Sequence, residues 1–200
     1  MKRKDEILLT ALKMFNETNT QAVTTNHIAK AMGISPGNLH YHYKNREEII
    51  QLLYIQMKSK LELPISELPL SITELIEHQK TILTVTWEYR FFQRELLFLL
   101  SRDAILEETY VKDNIAHRAR IILVIKNLIQ NKELEVPYDN AIEYIADSIL
   151  LTIQFWNPYM LTLGQGLSRE SLEQGIQRTN ILLRPFLTTQ ALKTLASLEA

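Results

Sequence analysis

The chain has 200 residues, enough for one or two domains with a sizeable core. It has no cysteine, which removes disulfides, thiolate nucleophiles and cysteine-ligated zinc; with only 5 glycines it favours helices over a turn-rich β fold. The net charge of −1 is uneven: Lys2, Arg3, Lys4, Lys13, Lys30, Lys44 and Arg46 outnumber five acids in residues 1–50 to give +2, while the remainder carries −3. Any attraction for a polyanion therefore belongs to the N-terminal quarter. After the opening Met-Lys-Arg-Lys, Asp5, Glu6, Thr10 and Lys13 interrupt any signal-like apolar core, and no apolar run approaches the roughly 18 residues of a membrane span. The expectation is a soluble cytoplasmic chain with no membrane contact.

In chain order, a first helix is expected from about Lys4 to Glu17, with Ile7, Leu8, Ala11, Leu12 and Phe15 as its inner stripe and Lys2, Arg3 and Lys4 as a basic arm before it. Thr24 or Thr25 then caps a short helix carrying Ile28, Ala29 and Met32, which Gly33 ends. Ser35-Pro36 restarts the chain as cap and first helical residue. The result is helix, short turn, helix, the unit that places a second helix in a DNA major groove. Lys44-Asn45 turns the chain into a fourth helix from Arg46 to about Glu62, with Ile49, Leu52, Leu53, Met57 and Leu61 on its stripe.

The second helix of the pair, about Pro36 to Tyr43, carries the chemistry. At about 100° per residue Leu39 and Tyr43 share an inner side, whereas Gly37, His40, Tyr41 and Lys44 project opposite and Asn38 and His42 flank them. One glycine, two polar aromatics and a cation suit close approach to a duplex, phosphate bonding and contact with base edges. Thr24, Thr25 and Ser35 offer hydroxyls at helix starts, Lys44 and Arg46 add charge, and Asn38 is the best adenine reader. An ordinary solvated surface helix is the alternative. His40 and His42 lie about 200° apart on a helix and share no metal, and no metal or other cofactor is expected. No nucleophile motif or phosphate-binding loop marks an enzyme.

Pro64 and Pro69 preclude a continuous helix over Leu63–Leu70, so the domain boundary is placed there, giving 1–62 and 63–200. Beyond it the pattern predicts a helix to about Tyr89, a bend at Arg90-Phe91, and a short helix apolar on nearly all sides and therefore buried. Helix from Asp103 to Lys132, broken near Thr109–Lys112, comes next, then a long helix from Tyr138 to Leu163 kinked by Pro158. Ser168 caps a final helix to about Arg184, and a tail follows Pro185. Two wide stripes on the last long helices, carrying Ile149, Ile153 and Trp156 on one and Leu172, Gly175, Ile176, Thr179 and Leu183 on the other, are read as a four-helix dimer interface. His78, Trp87, Phe91, Phe98, Tyr110 and His117 are candidates for a small-molecule pocket, against the commoner use of aromatics as core.

The pattern TT..IA...GIS.GNL..H..N.EE at Thr24–Glu48, after a helix carrying ALKMF, resembles the N-terminal domain of the tetracycline-repressor (TetR) family of bacterial transcription regulators. The resemblance covers roughly the first 55 residues. It implies an all-α protein with a three-helix DNA-binding head, joined by a fourth helix to a C-terminal bundle. It further implies a homodimer on a palindromic double-stranded operator, acting as a repressor and released by a small-molecule effector. Family members commonly carry tyrosine at the position of His40 and phenylalanine at that of Tyr43. The His40 departure lies on the reading face, so it bears on which operator is read. The competing reading is an all-α small-molecule-binding or helical interaction protein without DNA binding.

Overall fold

Ile7, Leu8, Ala11, Leu12 and Phe15 form the buried side of α1 (Arg3–Glu17), as their three-four spacing predicts. The computed structural model describes residues 3–138 and 140–199, so Lys2 of the expected basic arm lies outside the described residues. Arg3 and Lys4 belong to the first turn of α1 rather than to an arm, with Arg3 Nη1 2.7 Å from Glu6 Oε2.

Thr24 is the cap of α2 (Thr25–Ala31): its hydroxyl accepts the His27 N–H at 3.3 Å, and the His27 ring returns to the Thr24 backbone. Gly33 adopts φ +65°, and the Ile34 N–H reaches back to the Ala29 carbonyl at 3.0 Å, the closing bond of a left-handed helix end. Ser35 caps α3 (Pro36–His42), with Pro36 in the first turn. The Asn45 side chain accepts the Glu48 N–H at 2.8 Å at the head of α4 (Arg46–Leu61).

A single 3-10 turn, Ile65–Glu67, lies between the two prolines, and α5 (Ile72–Glu88) follows. Tyr89 leaves helical geometry, so the bend falls one residue before the predicted Arg90-Phe91, and α6 (Arg90–Arg102) begins. Helix α7 (Ala104–Gln130) is unbroken, contrary to the predicted break. No glycine or proline interrupts it, and Asp103 Oδ1 caps its start by accepting the Ile105 and Leu106 N–H groups, each at 3.1 Å. Helix α8 (Ala141–Thr162) begins later than the predicted Tyr138, while Asp139 lies outside the described residues; Pro158 sits in its last turns. Ser168 caps α9 (Arg169–Leu183) as expected, and the tail forms α10 (Thr189–Glu199). The described residues contain no strand, only an isolated Leu134–Leu187 bridge.

The chain divides into two compact units. The first runs to Leu61 and takes in Glu88–Thr109, so α6 belongs with the helix-turn-helix by its contacts, although the sequence boundary puts it in the second part. In this unit α1 packs on α2, α4 and α6. Phe91 meets Phe15 at 5.4 Å and Phe92 stacks on Tyr54 at 5.0 Å. The partnership with α6 explains why α4 buries Ile50 and Tyr54 and leaves Leu52 and Leu61 half-buried. Helix α6 itself hides one face only: Phe91, Phe92, Leu96 and Leu99 are buried, but Leu97 is exposed.

The second unit holds Glu62–Trp87 and the residues from Tyr110 onward. Its apolar cluster gathers Ile72 from α5, Ile125 and Leu128 from α7, Ile145 and Ile149 from α8 and Leu183 from α9. Leu187 and Leu195 close it. No helix among the described residues is long and apolar enough to cross a membrane.

Candidate nucleic-acid interface

Helix α3 is fixed from its inner side. Leu39 and Tyr43 are buried, and the Tyr43 hydroxyl donates to the Lys4 carbonyl at 3.1 Å, tying the end of α3 to the start of α1. Phenylalanine has no oxygen for this bond. Lys4 Nζ lies 5.9 Å from the Tyr43 ring centroid, and burial, reinforced by Asp5 and Glu48, holds the phenol above its usual pKa. The outer side is open as predicted: Gly37, His40, Tyr41 and Lys44 are exposed, Tyr41 by 83%. Asn38 is exposed beside them, and the half-buried His42 packs edge-on against Tyr41 at 5.2 Å. His40 Nδ1 lies 3.2 Å from the Lys44 carbonyl, which fixes the ring across the end of the helix.

Thr24 is exposed and Thr25 half-buried at the start of α2; the Ser35 hydroxyl accepts the Asn38 N–H at 3.2 Å and keeps its own proton for another acceptor. Arg46, expected at a phosphate, is also bonded within the head. Its Nη1 donates to the Thr20 carbonyl at 2.8 Å and its Nη2 to Glu47 at 2.9 Å, so the guanidinium braces the head. Lys30, exposed in the last turn of α2, is a cation the sequence argument left unassigned; helical phase alone does not say which surface lysine borders α3.

Sequence reasoning also missed the brace behind these helices. The buried Glu95 carboxylate of α6 accepts the Thr20 N–H at 3.0 Å and the Thr20 hydroxyl at 2.6 Å. Neighbouring Arg94 reaches the Phe15 carbonyl at 2.8 Å, and the Asn16 side chain bonds both the Glu88 carbonyl and the Phe91 N–H. An acid on an otherwise apolar helix face was the one signal available.

The other predicted sites scatter. Phe91 and Phe98 belong to the first unit, where Phe91 is wholly core and the Arg102 guanidinium lies 5.6 Å from the Phe98 ring centroid. His78, Trp87, Tyr110 and His117 belong to the second. Burial pushes the Tyr110 phenol up to about 12. Of the predicted dimer residues, Ile149, Leu172, Gly175, Thr179 and Leu183 are buried within their own chain. Trp156 explains part of this: its Nε1 donates to the Ser171 carbonyl at 2.6 Å, and its ring covers Gly175 so closely that an added Cβ would stand 2.8 Å from it. Ile153 and Ile176 are half-buried. The exposed apolar side of α8 is instead Tyr144, Leu151, Phe155 and Tyr159, whose spacing keeps them on one side of the helix.

A helix-turn-helix with its second helix open outward, in an all-helical chain, defines a DNA-binding transcription regulator. Residues 7–53 match the family described as bacterial regulatory proteins of the tetR family, and residues 55–195 match the TetR model described as a bacterial transcriptional repressor. The chain belongs to the TetR family of bacterial transcription regulators. It is 37% identical over 49 residues to the transcriptional repressor KstR2 of Mycolicibacterium smegmatis, a match spanning 24% of each chain, so it covers under a third of that curated relative. A TetR-family regulator from Marinobacter aquaeolei VT8 is similar throughout: 29% identity over 100% of this chain and 98% of that one, with TM-score 0.87. SmeT, the repressor of the Stenotrophomonas maltophilia multidrug efflux pump SmeDEF, shares the fold at 15% identity and TM-score 0.66 over 96% and 93% of the two chains.

Proposed function

We propose that the protein is a homodimeric repressor that binds a palindromic operator through α3 and is released by a small-molecule effector held in the second unit. The observation that carries the reading is the division of α3 into a buried side, Leu39 and Tyr43, and an open side of Gly37, Asn38, His40, Tyr41 and Lys44. Asn38 and His40 read base edges, while Lys44, Thr24, Thr25 and Ser35 hold phosphates, as does Lys4 beside the end of α3. Arg46, which also braces the Thr20 carbonyl, adds charge for a phosphate.

One short helix reads few bases, so the function needs two heads about 34 Å apart on one side of the duplex. The exposed stripe Tyr144, Leu151, Phe155 and Tyr159 on α8, with Ile181 on α9, supports a dimer surface on the outer side of these helices. Effector and operator then favour different head spacings and oppose each other by linkage, with a coupling of about 1–3 kcal/mol.

Selecting bound fragments from genomic DNA with the full-length protein tests the reading. The expected product is one inverted-repeat sequence bound by a dimer in sedimentation. A strictly monomeric protein, or fragments with no shared sequence, would overturn it.

A further inference from the structure

The end of α3 fixes the place of a proton. His40 Nδ1 lies 3.2 Å from the Lys44 carbonyl oxygen. A carbonyl has no proton to give, so the hydrogen between them belongs to the imidazole and Nδ1 is the donor. The acceptor is itself held. The Lys44 N–H donates to Glu48 Oε2 at 2.6 Å, the Glu48 N–H donates to the Asn45 side chain at 2.8 Å, and the Tyr43 N–H closes the helix on the Leu39 carbonyl at 3.0 Å. Leu39 and Tyr43 are buried beneath. The tautomer is therefore set by a fixed backbone atom rather than by solvent, and the second nitrogen of the neutral ring keeps its lone pair.

That nitrogen is Nε2. His40 is exposed, and its hydrogen bond among the described residues runs through Nδ1. Against a duplex, a fixed lone pair selects by what it refuses. Phosphate oxygens, guanine N7 and O6 and thymine O4 are all acceptors, and each would leave Nε2 facing another lone pair. The major-groove donors are the amino groups, N6 of adenine and N4 of cytosine. An amide or a tyrosine hydroxyl both donates and accepts and draws no such line, while an ammonium only donates. Of Asn38, His40, Tyr41 and Lys44 on the open side, His40 alone is thus left with an acceptor and no donor.

We infer that His40 is a specificity-determining residue that accepts, through Nε2, an amino hydrogen of adenine or cytosine, and so excludes guanine and thymine at one position of each half-site. The inference rests on the operator-binding reading above and names the class of base that this position takes.

Two measurements on the full-length protein test it, at about pH 8, where an ordinary imidazole is neutral. NMR of the ring nitrogens in the DNA-free protein, with the His40 signals identified by their loss in His40→Gln, should place the proton on Nδ1. A proton on Nε2 would overturn the inference whatever the protein binds. Selection from random duplexes should give an inverted repeat in which one position per half-site takes adenine or cytosine over guanine or thymine by roughly tenfold. His40 is exposed, so its substitution removes no core packing. His40→Gln, which offers both donor and acceptor, should flatten that preference to within about threefold, and His40→Arg, a donor only, should turn it to guanine. An inverted repeat with the same base preferences in all three proteins would overturn the inference and leave operator binding standing. Selected sequences with nothing in common would remove operator binding, and the inference with it.

Discussion

Both units contain side-chain-to-backbone bonds, as at Arg94 in the first and Trp156 in the second, and they differ in where their buried acid and amides turn. In the first, Glu95, Arg94, Asn16 and Arg46 direct their bonds mainly to backbone atoms of the segments entering and leaving the helix-turn-helix. In the second, Gln79 pairs with Asn180 and Gln154 with Asn114, side chain to side chain. Among the described residues each unit keeps one buried acceptor without a partner, Gln93 Oε1 and Asn157 Oδ1. The difference is therefore in where bonds end rather than in how many are missing. A backbone-directed bond fixes one path of the chain, which suits a surface that must meet DNA in a single geometry. A side-chain pair can be exchanged for the groups of a ligand and restored afterwards, which suits a sensor.

The sharpest way to break this comparison is in the aromatic core of the head. Phe91 is fully buried against Phe15 and Phe92, so Phe91→Ala should cost about 3–5 kcal/mol in urea unfolding. A loss below about 1 kcal/mol would mean that α6 is not part of the head's core. Next in size is Glu95→Ala, which strands the Thr20 N–H and hydroxyl and should cost about 1–3 kcal/mol. Replacing both Gln79 and Asn180 by leucine should cost less, because no half-pair is left behind. Equal losses would erase the distinction between the two units.

The same contrast sets which features are legible in the sequence. The head was legible because its signals are local. Thr24, Gly33 and Ser35 act within a few residues of themselves, and the α1 stripe repeats with helical spacing. The open side of α3 followed from the same arithmetic. The bond from Arg46 to the Thr20 carbonyl was not legible, because the two are distant in sequence and a surface arginine looks the same whether or not it meets backbone. The α8 and α9 stripes are a different case. Both helices carry apolar residues on more than one side, and periodicity cannot tell the side that meets α9 from the side left outward. Leu172, expected outward, is buried, while Leu151, to which the pattern assigned no role, is exposed.

On the open face of α3, Asn38→Ala should cost about 1–3 kcal/mol at one operator position while sparing the others. A loss spread evenly over all sequences would make Asn38 a backbone contact. In the second unit the corresponding probe is pH. Burial first, then His78 and Arg120, hold His117 below the usual histidine range, and Glu62 pulls weakly the other way. The unfolded chain therefore binds more protons, so the stability due to the neutral ring is present above about pH 6.5 and is lost as pH falls through the lowered folded value. The urea midpoint should fall between about pH 7 and pH 5, and His117→Gln should reduce that slope. An unchanged slope would place the acid sensitivity elsewhere.

The smallest effect tests whether the head's rigidity serves charge placement as well as shape. The Lys44 N–H donates to Glu48 at 2.6 Å and its carbonyl lies beside His40, so the backbone is held from both sides while the side chain stays exposed. A lysine anchored in this way contributes to binding by displacing a counterion from one phosphate, with no sequence preference. Lys44→Ala should weaken binding to operator and to unrelated duplex by similar factors, and should lower the slope of log K against log salt by about one per head. A change in which sequence is preferred, with the slope intact, would mean that Lys44 reads bases. No change in either would place the phosphate contact on a neighbouring cation, Lys4 or Lys30, and would move the edge of the interface toward α1 or α2.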